Sequence, residues 1–172
     1  MQGNKGFSLI ELLIVVAIIL VIAAIAIPNL LASRMSANEA SAVGSLQAIK
    51  TAEYAYFSAY PTVGYATQIS DLGSIGSPCV ATSSNACLLD SSLVNAIPGG
   101  PAKSGFMFRA TGLPTGALNG AFVAGASPFT VHQSGNRDFC STDDGVLRSQ
   151  MGSVGDIPVN TQAACVAFAV AQ

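Results

Sequence analysis

Hydrophobic and polar positions divide the chain into three differently patterned stretches. Over residues 5–28, KGFSLIELLIVVAIILVIAAIAIP, the apolar run carries a single acid, Glu11, and no polar side chain follows between Leu12 and Ile27. Counted over residues 7–32, the stretch is long enough to cross the hydrocarbon core of a bilayer as a helix. Beyond Pro28 the pattern changes. Apolar residues recur at Ala42, Leu46, Ile49, Ala52, Tyr56 and Tyr60, the three-and-four spacing of one helix face. No proline intervenes between Pro28 and Pro61, so the two stretches predict one helix over residues 8–60, stopped by Pro61 and amphipathic in its second half. Pro28 removes a backbone donor and predicts a kink. Gly44 weakens the helix locally, by about 1 kcal/mol relative to alanine.

From Pro61 onward, turn formers punctuate short apolar runs. Residues 61–104 predict a long connection with a short helix over residues 90–96. Strand candidates follow at residues 105–111, 121–124, 129–132, 137–140 and 145–148. The tripeptides SGN at 134–136 and DDG at 143–145 are hairpin-type connections, so an antiparallel meander is the economical topology. The expected class is α+β, a long N-terminal helix packed on a C-terminal antiparallel sheet. Its segments are a leader at 1–6, a membrane or fibre-core helix at 7–33, an amphipathic helix at 34–60, a surface connection at 61–104 and a sheet domain at 105–172.

Composition narrows the function. A chain of 172 residues has room for one membrane element and one modest globular domain. With 9% charged residues and a net charge of −2 it offers no basic footprint, so no nucleic-acid partner is expected. Cys79, Cys87, Cys140 and Cys165 all lie beyond the apolar run, an even count that suggests disulfides in an oxidising compartment. Three pairings are possible. Cys79–Cys87 and Cys140–Cys165 are favoured, the first closing a short Ser/Asn-rich loop and the second stapling the C-terminal end to the sheet.

Candidate chemistry is sparse. His132 is the only histidine, no CxxC, GxSxG or HExxH occurs, and GGPAKSG at 99–105 fails the phosphate-loop spacing. Asp138, Asp143 and Asp144 have the oxygen ligands that calcium takes but read as hairpin-turn acids. The aromatics Tyr54, Tyr56, Phe57 and Tyr60 read as packing and subunit contacts rather than a path for electrons. No catalytic residue, cofactor or metal is expected.

The apolar run does not have the order of an ordinary secretory signal, in which the apolar core is followed by the cleavage site. Here a short polar leader ending in Gly6 precedes the run, and cleavage after Gly6 would keep the anchor on the product. Gly6-Phe7-Ser8-Leu9-Ile10-Glu11, followed by an apolar helix and Pro28, closely resembles the class III signal of type IV pilins and of type II secretion pseudopilins. The resemblance implies that a prepilin peptidase and N-methyltransferase cuts after Gly6 and methylates Phe7. It also implies that the retained helix, with Pro28, packs into the core of a helical filament. It gives Glu11 a role, neutralising the N-terminal amine of a subunit during docking. The local alternative is an i,i+4 pair between Glu11 and the amine of its own Phe7, worth only about 0.2–0.5 kcal/mol. Relatives often carry Gly where this chain has Leu20. Residues 135–139 with 144–148 also look like the closing hairpin of long pilins and of the major pseudopilin.

The function the resemblance implies is a structural subunit of a type IV pilus, held in the inner membrane as a precursor and then displayed in an extracellular filament. Its implied partners are further copies of itself, the inner membrane, the prepilin peptidase and a pilus assembly platform. The alternative is a type II secretion pseudopilin in a periplasmic pseudopilus. A third reading, a tethered periplasmic binding protein, leaves the Gly6–Phe7 junction and Glu11 unexplained.

Overall fold

The computed structural model describes residues 6–74 and 78–171, so the expected leader lies, except for Gly6, outside the described residues. The chain forms two compact units, residues 1–34 and 35–172. Helix α1 spans Leu9–Ala59 without interruption at Pro28. Pro28 has no N–H, so the carbonyl of Ala24 lacks the helical donor it would otherwise receive.

In the first unit the helix buries nothing. Large apolar residues from Leu9 to Leu31 stay exposed in the chain, among them Ile10, Leu13, Val16, Ile18 and Leu20. By length and composition this stretch is long and apolar enough to cross a membrane.

In the second unit α1 buries Glu39, Ala42, Leu46, Ile49, Glu53 and Tyr56. These positions alternate three and four apart and form a single stripe. The stripe packs on an antiparallel sheet in the order β1-β2-β3-β4-β5: β1 Phe106–Pro114, β2 Asn119–Pro128, β3 Arg137–Thr142, β4 Leu147–Met151 and β5 Ala169–Val170. Alternate residues Phe106, Phe108, Ala110, Phe122, Ala124, Ala126 and Phe139 face the helix. On the other face, Val123 and Cys140 make a second, smaller core with Cys165 and Phe168, carried by the C-terminal segment and its short helix α3, Gln162–Val166. β2 is therefore covered on both faces, which is why it is buried nearly end to end.

Polar side chains of α1 tie the helix to the sheet connections. Glu39 accepts from the Asn136 N–H at 2.8 Å and pairs with Arg137 at 2.8 Å, holding the entry to β3. Lys50 donates to the Gly145 carbonyl at 3.3 Å and Tyr54 to the Asp143 carbonyl at 3.1 Å, holding the turn between β3 and β4. Asp144 accepts from Thr142, Val146 and Arg148 in that turn, and these bonds hold its carboxyl well below the usual range, with Arg148 the largest contributor. Glu53, fully buried, accepts from the Ala66 N–H at 2.9 Å through one oxygen and has no partner for the other among the described residues. Burial pushes its pKa up to about 8, opposed by the Ala66 bond and helped by nearby Asp71, so this acid is neutral at pH 7.

The disulfides join Cys79 to Cys87 and Cys140 to Cys165. The short helix of the connection, α2, spans Ser91–Val94; Asp90 caps it by accepting from Leu93 and also pairs with Lys103 at 3.2 Å.

Several expectations are corrected. Residues 129–132 are not a strand. Pro128 ends β2, and the Ser134 hydroxyl both accepts from the Thr130 N–H at 3.0 Å and donates to the Thr130 carbonyl at 2.9 Å, closing a turn in which His132 takes φ 66°. This turn therefore occupies the connection in which SGN lies, whereas DDG does form a tight β3–β4 turn, with the Gly145 N–H on the Thr142 carbonyl at 2.9 Å. β2 runs well beyond residues 121–124 at both ends. A 3-10 turn at Ile69–Leu72, α3 and β5 were not expected at all.

Two predictions follow from this packing. Replacing Cys140 and Cys165 together by serine should lower the unfolding free energy of the detergent-solubilised chain by about 3 kcal/mol, and replacing Cys79 and Cys87 by about 1 kcal/mol less, because the first pair closes the longer loop. Urea titration followed by tyrosine circular dichroism measures both. Burial pushes the Glu53 carboxyl from its ordinary 4.5 up to about 8, so the stability contributed by its neutral form is complete below about pH 4.5 and is lost as pH rises through 8. Thermal midpoints of the wild-type chain should therefore fall between pH 6 and pH 8, and Glu53→Gln should flatten that fall.

Candidate functional site

Residues 6–8 precede the first turn of α1 in non-helical backbone. The Ser8 carbonyl accepts from the Leu12 N–H at 3.2 Å, which places Ser8 at the N-cap. The Glu11 carboxylate, three residues on, turns back and accepts from the Ser8 N–H through Oε2 at 3.2 Å. This is the returning arm of a capping box, in the first turn, where the helix macrodipole also favours a negative charge.

Within the chain, then, the partner of Glu11 is the Ser8 amide. Phe7 is in peptide linkage here, and its nitrogen is not an amine. The signal for this contact was visible as Ser8-x-x-Glu11 ahead of an apolar run, a spacing that reads directly as a capping box.

Gly6 has open space around it. A Cβ there would meet no atom within 4 Å, and its φ is not positive. Neither packing nor backbone conformation in the folded chain calls for glycine at this position. Phe7 beside it is 83% exposed. The structure thus brings together Gly6, Phe7, Ser8 and Glu11 at one helix end and places Pro28 inside the same helix. It does not bring the four cysteines to this end; all belong to the other compact unit.

Nor are the three acids weighed as calcium ligands joined in one cluster. Asp144 is held by Arg148 and the turn, and Asp143 accepts from Gln162 at 3.3 Å. Asp138 is buried under the row formed with Ser127 and Gln150, where burial and Asp156 push its pKa up to about 6. Among the described residues no group of three or more His, Cys, Asp or Glu is placed to share a metal ion.

Comparison with known proteins places this geometry. The model of the prokaryotic N-terminal methylation motif matches residues 1–27. The chain is similar to the type IV major pilin protein PilA of Myxococcus xanthus, 49% identical over 55 residues, which is 32% of this chain and 25% of that protein. It is also similar to the type IV wide pilus major component PilA4 of Thermus thermophilus, 64% identical over 39 residues, 23% of this chain and 30% of that protein. The matches span less than a third of the length of either relative. No solved structure matches the chain. The chain thus carries a prokaryotic N-terminal methylation motif, with Gly6, Phe7 and Glu11 inside it, and is similar in the matched stretches to major components of type IV pili.

Proposed function

We propose that the chain is a structural subunit of a type IV pilus, cut after Gly6, methylated on Phe7, and polymerised through the apolar part of α1. The observation that carries this reading is the apolar, fully exposed run of α1 beginning just beyond a glycine that the fold itself does not require. A residue without an internal reason to be glycine has an external one, and a peptidase that accepts only a small side chain before the cut supplies it. An apolar helix with no partner in its own chain likewise needs lipid first and neighbouring helices later. Both curated relatives are named as pilus components, which favours a pilus over a secretion pseudopilus.

Once Phe7 is the N-terminal residue, its nitrogen is a cation that must enter an apolar bundle. A charge in hydrocarbon costs roughly 2.5–3.5 kcal/mol on insertion scales. Glu11 is the only acid in the run and stands within one turn of the helix start, so it is the group available to meet that cation from a neighbouring subunit. In the membrane-held precursor the same carboxylate rests on the Ser8 amide. The expected sequence is insertion in the inner membrane, cleavage, docking at an assembly platform and extension into an extracellular filament.

Two outcomes are expected. Intact-mass measurement on the chain from cells expressing a prepilin peptidase should show loss of residues 1–6 and one added methyl group, and Gly6→Val should leave the leader in place. A product cut elsewhere overturns the reading. Glu11→Gln and Glu11→Ala should insert in the membrane as well as the wild type, yet form no filaments by electron microscopy when no wild-type copy is present. A buried pair broken on one side costs roughly 3–5 kcal/mol, enough to stop each addition step. Normal filaments from Glu11→Ala subunits would remove the carboxylate from the docking step.

A further inference from the structure

A cleft on the sheet domain is built from three parts of the chain. Its walls are Gln68, Ile69 and Ser70 at the 3-10 turn, Val94, Ile97 and Pro98 around the end of α2, and Asn160 of the C-terminal segment. Its floor is Arg109, Ala110 and Thr111 of β1, and its volume is about 330 Å³. That size lies at the lower end of small-molecule sites, roughly 300–1,000 Å³.

Arg109 distinguishes this cleft from an ordinary surface groove. Among the described residues Lys103, Arg137 and Arg148 are paired with Asp90, Glu39 and Asp144, and Lys50 is bonded to the Gly145 carbonyl. Arg34 is exposed on α1. Arg109 is half-buried in the cleft and makes no hydrogen bond or ion pair among the described residues. A recessed guanidinium gives up part of its hydration, and its donors are left for water or for a ligand that enters the cleft.

The strand beneath adds a second donor. β1 is an edge strand, and on its free side the Phe108 N–H donates to the Ala96 carbonyl at 2.6 Å and the Gly112 N–H to the Thr67 carbonyl at 3.3 Å. By the alternation of a strand, the Ala110 N–H between them faces the same side, into the cleft that Ala110 lines. The remaining surface is divided between aliphatic walls, Val94, Ile97 and Pro98, and the short polar side chains of Ser70, Thr111 and Asn160.

We propose that this cleft binds a small organic carboxylate with a hydroxylated body, of the sugar-acid type, its carboxylate forked on Arg109 and its hydroxyls on Ser70, Thr111 and Asn160. A planar guanidinium matches a planar carboxylate through two parallel hydrogen bonds. One cation balances one negative charge, whereas a phosphate dianion would call for a second cation that the cleft does not hold. The apolar wall offers a face for the carbon skeleton, as in ligand sites generally.

The test is isothermal titration of the full chain in non-ionic detergent with D-galacturonate, D-galactose and inorganic phosphate as probes, together with Arg Nε–H nuclear magnetic resonance. Saturable one-to-one binding of galacturonate is expected, with the Arg109 Nε–H signal moving during the titration and galactose bound at least about tenfold more weakly, as loss of one bidentate charged contact requires. Arg109→Gln and Arg109→Lys should each weaken galacturonate by about tenfold or more, the lysine variant because it keeps the charge and loses the fork. Thermal melts must match the wild type; if Arg109→Gln fails this control, Asn160→Ala, on the exposed rim, takes its place and should weaken binding of both sugars. No saturable binding of galacturonate at millimolar concentrations, equal binding by the variants, equal binding of galactose, or preferential binding of phosphate overturns the proposal.

Discussion

One helix has to be stable in two surroundings. Over Leu9 to Leu31 α1 exposes its apolar side chains in every direction, and from Glu39 to Tyr56 it presents one stripe to a sheet and the rest to water. The first stretch has no energetic reason to stay out of lipid, and the second has none to enter it. The transition is made by composition, where Asn29, Ser33 and Arg34 begin to interrupt the apolar run. Everything beyond that point is arranged to give the stripe a surface to bury: Phe106, Phe108, Phe122 and Phe139 supply its volume, and the connections between strands are tied back to helix side chains. The sheet would be a poor core without the helix, since only a small cluster around the Cys140–Cys165 bridge covers its other face.

What was legible in the sequence is what local physics decides. The helix could be read because its two patterns, continuous and then three-and-four, run for dozens of residues without a breaker other than Pro28. Cystine pairing could be argued because one pair encloses a short polar loop and the other staples the C-terminal end to the sheet. The meander could be read from turn residues. Strand ends could not, since Ala-Gly-Ala-Ser at 124–127 has neither alternation nor β-branched residues, yet belongs to β2 because both of its faces are covered by other parts of the chain. Residues 129–132, Phe-Thr-Val-His, failed in the opposite way. Their strand propensity is high, but a proline before them and a serine hydroxyl after them close a turn. The cleft around Arg109 was invisible because its walls come from segments about ninety residues apart in the chain.

Glu39 and Glu53 deserved notice in the sequence, because they occupy stripe positions. The series 39, 42, 46, 49, 53, 56, 60 keeps its three-and-four alternation only if both acids face the core. An acid at a core position has two physical solutions, and this helix contains both. Glu39 is paired at 2.8 Å with Arg137, whose side chain is half exposed. Glu53 makes no ion pair among the described residues, burial holds its proton on, and one oxygen accepts from the Ala66 amide. The first ties helix to strand by charge, the second ties helix to connection by a neutral hydrogen bond, and only the second makes the domain sensitive to mild alkali.

Glu11 is a third case, and under the proposed pilus function its environment would change when the subunit docks. On the Ser8 amide it contributes what an N-terminal helix contact contributes at an exposed site, about 0.5–2 kcal/mol, and this contact is available whether or not the leader is present. That bond is small beside the roughly 3–5 kcal/mol at stake for an unpaired charge inside an apolar bundle, so in the docking step proposed above it would not compete with an incoming amine, and it would hold the carboxylate at the helix end beforehand. Ordering that side chain beforehand removes part of the entropy cost of docking, up to about 2 kcal/mol for a glutamate. On the proposed function, a residue whose local role is capping is thereby already placed for a role between subunits, and the low cost of holding it there would let a lone acid be carried in an otherwise apolar helix.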